Sequence, residues 1–136
     1  MFGSGHNKPQ NRIDSLIGAG TRIVGDVHFT GGLRVDGEID GNIIATPGKP
    51  STLVISEHAR VNGEVNVTHL VVNGGVTGPV NVTEYLELQS KSKVTGDVHY
   101  KTMEIQLGAV VEGRLIHLAE TAEKVVAFKL SNAESS

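Results

Sequence analysis

The sequence predicts an all-β fold, a β-solenoid of about six triangular turns, and three observations point to it. A glycine-centred motif recurs six times in 136 residues, short runs alternate apolar with polar residues, and glycine is abundant where large rings are scarce. With 17 Gly, two Tyr, three Phe and no Trp, the core must be filled by branched aliphatics around a backbone that repeatedly excludes a Cβ.

The motif reads aliphatic, any residue, Gly, any residue, aliphatic. Its copies are Ile23-Val24-Gly25-Asp26-Val27, Ile39-Asp40-Gly41-Asn42-Ile43, Val61-Asn62-Gly63-Glu64-Val65, Val76-Thr77-Gly78-Pro79-Val80, Val94-Thr95-Gly96-Asp97-Val98 and Val111-Glu112-Gly113-Arg114-Leu115, at intervals of 15 to 22 residues. Between them lies an element of period two: Leu33-Arg34-Val35, Leu53-Val54-Ile55, Leu70-Val71-Val72, Leu86-Glu87-Leu88 and Met103-Glu104-Ile105. Successive side chains of a strand point to opposite faces, so this alternation reads as half-buried strands. No stretch between 16 and 118 has helical periodicity. From the second element to the next motif the gap is 6 residues (Ile17 to Ile23, Ile55 to Val61, Leu88 to Val94, Ile105 to Val111) or 4 (Val35 to Ile39, Val72 to Val76). Both are even, so the same face stays inward.

Such a unit is too short for a four-stranded propeller blade and short for a leucine-rich repeat with a helix. It suits one solenoid turn of three short strands, each paired in parallel with its copy about 4.8 Å away. The recurrent Gly falls at inward parity, where a bend leaves no room for a Cβ or demands unusual φ/ψ. The stacking columns follow: Ile23, Ile39, Val61, Val76, Val94, Val111; then Val27, Ile43, Val65, Val80, Val98, Leu115; then Phe29, Ala45, Val67, Val82, Tyr100 and His117. The interval from Ile43 to Leu53 is ten residues, and its excess, Ala45 to Ser51, reads as an outward loop.

A formal charge of -3 argues against a nucleic-acid binder. The absence of Cys removes disulfide scaffolds, Cys-ligated zinc and thiol catalysis. No run of about 20 apolar residues exists, and the first 15 residues lack a signal-peptide h-region, so a soluble cytoplasmic protein is expected.

Enzyme readings fare poorly. Gly18-Ala19-Gly20-Thr21 completes neither phosphate-loop motif and no helix follows it, which argues against nucleotide binding. His28 and His99 occupy equivalent positions four turns apart, roughly 19 Å, too far to share a metal. Asp26, Glu64 and Asp97 share an outward column, but no long loops build a cleft around them, and they read as charges that limit lateral aggregation. The two Asn-Val-Thr triplets, 66–68 and 81–83, read as stacked equivalents with an amide ladder between Asn66 and Asn81. A left-handed β-helix acyltransferase would need a strict hexapeptide repeat, which intervals of 4 and 5 residues break. No catalytic residue, cofactor or metal ligand is assigned.

A short N-terminal tail, six glycine-marked turns and a short C-terminal tail, with Thr21-Arg22-Ile23-Val24-Gly25-Asp26-Val27 and Arg34-Val35-Asp36-Gly37-Glu38-Ile39-Asp40-Gly41, resemble the bactofilins, polymer-forming bacterial cytoskeletal proteins. The resemblance spans about Leu16 to Leu118. It implies a right-handed β-helix whose subunits join end to end, head-to-head and tail-to-tail, into non-polar filaments without nucleotide. It also implies peripheral attachment to the inner membrane face and scaffolding of cell-wall enzymes or shape-determining proteins.

Physics reaches part of this independently, because an uncapped solenoid end exposes core cross-section and unpaired strand edges that recruit another chain. Leu16, Ile17, Ile23, Val27 and Phe29 are expected near the first end, and Val111, Leu115, His117 and Leu118 near the last, as the self-association residues. The chain divides into a tail over 1–15, the solenoid over 16–118 and a second tail over 119–136, mostly disordered. In the first tail, Met1 and Phe2 are candidates for the lipid interface, with Lys8 and Arg12 meeting anionic headgroups. The second tail would dock on a partner, cap the last turn, or remain disordered, with disorder expected beyond about Leu130.

Overall fold

The computed structural model describes residues 12–119, which form a solenoid of six turns with three strands each and no helix. Turn one holds β1 (Ser15–Ile17), β2 (Arg22–Val24) and β3 (Val27–Phe29); turn two holds β4 (Gly31–Val35), β5 (Glu38–Asp40) and β6 (Ile43–Ala45). Then β7 (Ser51–Ile55), β8 (Arg60–Asn62) and β9 (Val65–Val72) follow, with β10 (Gly75–Thr77) and β11 (Val80–Leu88) after them. The last strands are β12 (Lys93–Thr95), β13 (Val98–Tyr100), β14 (Thr102–Ile105), β15 (Val110–Glu112) and β16 (Leu115–His117). Strands β9 and β11 run unbroken around a corner that separates two strands elsewhere, so two of the three faces merge into one ten-stranded sheet. The third face is the six-stranded sheet β2-β5-β8-β10-β12-β15.

All pairings are parallel, and their register reproduces the expected columns: Ile23 to Ile39, Ile39 to Val61, Val61 to Val76, Val76 to Val94 and Val94 to Val111. The Val27 and Phe29 columns hold as well, the latter ending with His117 beside Tyr100. In the middle turns the lining is sealed: Val35, Ile39, Leu53, Leu70, Leu86 and Val98 are fully buried.

The motif glycines stack on one another. A Cβ on Gly41 would lie 2.1 Å from the Gly25 carbonyl oxygen, and the same clash recurs up the column. Gly96 adds a φ of 134°, which L side chains rarely adopt. A second set of glycines explains the shorter gaps. The six-residue gaps close as turns, Gly18–Thr21, Ser56–Ala59, Gln89–Ser92 and Gln106–Ala109, each with an N–H donating to the carbonyl three residues back. The four-residue gaps carry Gly37 and Gly74, whose Cβ would strike the carbonyls of the wider turn beneath, 2.3 Å from Thr21 O and 2.2 Å from Ser56 O.

The outward column Asp26, Asn42, Glu64, Pro79, Asp97, Arg114 also makes hydrogen bonds within the fold. Its short side chains accept corner N–H groups one turn up: Asp26 from Asn42 (2.9 Å), Asn42 from Glu64 (2.8 Å) and Asp97 from Arg114 (3.1 Å). These acceptors satisfy corner donors. The amide ladder is present, with Asn81 Nδ2 donating to Asn66 Oδ1 at 2.8 Å and to Glu64 Oε2 at 2.9 Å.

Candidate functional site

Turns one and six have a neighbour on one side only, and the residues there differ from their interior equivalents in burial rather than in kind. At the last turn Ile105 is 47% exposed and Leu115 43%, whereas Leu88 and Val98, directly beneath them, are both 0% exposed. Met103 and Val111 are half-buried. Leu107, in the corner turn, is 95% exposed, and Val110 is exposed beside Val111. At the first turn Ile17, Ile23, Val27 and Phe29 are half-buried against the core. Each end therefore presents an apolar cross-section bordered by strands whose outer N–H and C=O groups lack a ladder partner among the described residues.

The corner glycines carry the same mark. Every motif glycine from Gly41 to Gly113 would drive a Cβ into the turn before it, but the Cβ position of Gly25 faces open space. Ionic contacts lie beside the ends without covering them. Arg22 Nε donates to Asp40 at 2.9 Å near the first, and Arg114 Nη2 to Asp97 at 2.8 Å near the last. The Arg114 side chain, then its backbone N–H, holds the Asp97 carboxyl below its ordinary pKa, while Asn62 and then Arg22 do the same for Asp40.

The expected self-association residues divide unevenly. Ile17, Ile23, Val27 and Phe29 line the first end, and Val111, Leu115 and His117 the last, where the His117 ring stands edge-on to Tyr100 at 5.5 Å. Leu118 is half-buried, its N–H donating to Tyr100 O. Leu16 does not belong to the lining. It pairs with Arg34 in an outward column and is 60% exposed on the side of the prism, because inward parity falls on Ser15 and Ile17. Ile105, Leu107 and Val110 were not expected at the last end. Ile105 was detectable, since it tops the column of Val35, Ile55, Val72 and Leu88 with no later turn above it.

Met1, Phe2 and Lys8 lie outside the described residues. Arg12 is exposed and pairs with Asp14 at 3.0 Å. Among the described residues no cluster of His, Asp and Glu suits a metal ion, and no helix is long and apolar enough to cross a membrane. His28 and His99 do share a column, separated by Ile44, Asn66 and Asn81.

The described residues form a stacked, parallel solenoid whose two ends expose apolar lining. The family model for bactofilins, described as polymer-forming cytoskeletal, matches residues 15–116. The chain belongs to the bactofilins, a family of structural proteins and not of enzymes. It is similar to Bactofilin BacP of Myxococcus xanthus (strain DK1622), with 28% identity over 105 residues, covering 77% of this chain and 42% of that protein. The chain thus spans about two fifths of that relative's length. No solved structure matches.

Proposed function

We propose that this bactofilin polymerises end to end without nucleotide, first end to first end and last end to last end, giving non-polar filaments. The observation that carries this reading is the contrast in one column, Leu115 exposed on the last turn and Val98 sealed on the turn beneath. Burying that cross-section against a second copy contributes roughly 25 cal/mol per Å² of apolar surface removed from water, and the strand edges gain ladder partners. In the cell the polymer would lie in the cytoplasm against the inner membrane face, held through Met1, Phe2, Lys8 and Arg12 of many subunits at once, and scaffold cell-wall enzymes or shape-determining proteins.

The test is a pair of charge insertions, Val27→Arg at the first end and Leu115→Arg at the last. Each is expected to leave a folded protein by circular dichroism and to stop growth at dimers. Long filaments from both variants in electron micrographs would refute the end contacts. For the tail, equal co-sedimentation of wild type and Phe2→Ala with anionic liposomes would refute the membrane contact.

A further inference from the structure

Gly75 has none of the reasons that the other strand glycines have. Its φ is not positive, and a Cβ there would meet nothing closer than 4.0 Å, although it sits inside β10, where glycine weakens a strand. Gly18, the other described glycine free of both constraints, merely opens a corner turn. Gly75 lies on the outward side of the six-stranded face, in the column Arg22, Glu38, Arg60, Gly75, Lys93, Val110. Its missing side chain leaves a notch between Arg60, one turn below, and Lys93, one turn above. The notch is part of a groove of about 490 Å³, with Asn62, Thr77 and Thr95 along its other side.

Neither cation at this notch forms an ion pair among the described residues, although Glu38 is the neighbour of Arg60 one turn down. Six of the nine basic residues described form ion pairs: Arg12, Arg22, Arg34, Lys91, Lys101 and Arg114. Lys49, Arg60 and Lys93 form none among the described residues, and two of these three flank Gly75. At the rim Glu57 is already engaged by Lys91 at 3.0 Å. The described segment begins and ends at the opposite corner, where Asp14 N–H donates to Gly32 O and Leu118 N–H to Tyr100 O.

We propose that the Gly75 notch binds an acidic segment of a partner protein, with carboxylates on Arg60 and Lys93. The two backbone positions are two turns apart, roughly 9.6 Å, and side chains on one face of an extended chain repeat about every 6.8 Å. Carboxylates two residues apart on one face of the segment can therefore each meet one of the two cations. Arg60 suits a carboxylate through its planar pair of donors, and the threonine and asparagine side chains offer hydrogen bonds to the segment's backbone. The site deepens the scaffolding reading by naming a surface for it, yet it does not depend on the ends.

Fluorescence anisotropy of a labelled hexaglutamate peptide with the full chain at low salt tests this. Saturable binding is expected, equal in wild type and in Leu115→Arg, and weakened at least tenfold in both Arg60→Ala/Lys93→Ala and Gly75→Thr. The threonine fills the notch, removes no charge and leaves the melting temperature no lower; Lys49→Ala should bind as wild type does. No saturable binding, or full binding by Gly75→Thr, overturns the proposal, as does displacement of the peptide by equimolar inorganic phosphate or by phosphatidylglycerol vesicles. Persistence of filaments in Leu115→Arg would refute the end contacts and leave this result standing.

Discussion

Asp26 and Asn42 occupy the same corner one turn apart, and the Asp26 carboxylate accepts the Asn42 backbone N–H at 2.9 Å. Asn42 repeats the gesture toward Glu64 at 2.8 Å. Above Glu64 stands Pro79, which has no N–H to satisfy, and the Glu64 carboxylate turns instead to Asn66 and Asn81. The column is thus a relay of local acceptors that is interrupted where the donor is missing.

Removing one relay member leaves a partly buried donor without its acceptor. Asn42→Ala is expected to destabilise the fold by about 1 kcal/mol, with Asn42→Asp close to wild type. Urea unfolding followed by circular dichroism in the Leu115→Arg background measures both; an unchanged midpoint in Asn42→Ala would contradict the role.

Glycine substitutions should separate sharply. In Gly41→Ala the new methyl falls 2.1 Å from the Gly25 carbonyl oxygen, a backbone atom, and more than about 3 kcal/mol of destabilisation is expected. In Gly75→Ala the methyl meets only Ala59 O and Arg60 Cγ at 4.0 Å, ordinary contact, and a gain of about 0.5 kcal/mol is expected from the lower entropy of the unfolded chain. Thermal melts of the two variants should move in opposite directions.

Core truncation should depend on height along the axis. Leu86 is fully buried, so Leu86→Ala should cost about 2–5 kcal/mol whether or not filaments form. Leu115→Ala should cost under about 1 kcal/mol in dilute monomer but raise the concentration at which filaments pellet, because the proposed end contact would seal this half-exposed side chain. Equal losses in the two variants would indicate that the last turn is already covered.

The phenol of Tyr85 donates to Glu104 at 2.6 Å, and this bond, with some desolvation, pushes its pKa up to about 12. A group whose pKa rises on folding adds stability that is complete below its unfolded value, near 10, and is lost as pH climbs through 12. Ultraviolet titration should show a late phenolate transition that disappears in Tyr85→Phe and moves toward 10 in Glu104→Gln. An unmoved transition in Glu104→Gln would contradict the pairing.

The repeat made the fold legible because a solenoid's core is written locally: parity along each strand and even gaps between strands suffice to assign every column from Ile23 to Val111. What escaped the sequence depends on the neighbouring turn. Gly37 and Gly74 are glycine because wider turns lie beneath them, and nothing within their own repeat says so. The hydrogen bonds accepted by Asp26 and Asp97 were not legible, because an acceptor of a backbone N–H one turn up has no periodic signature of its own. Leu16 lies on the side of the first turn, as the even gap from the inward Ile17 to Ile23 implies.

Open ends are the centre of this account, and sedimentation of the purified full chain without nucleotide, with electron microscopy of the pellet, tests them most directly. Wild type should pellet as filaments while Leu115→Arg stays in the supernatant as a folded species no larger than a dimer. A wild-type protein that remains monomeric at concentrations well above those in a cell, or a Leu115→Arg variant that forms the same filaments, would contradict it.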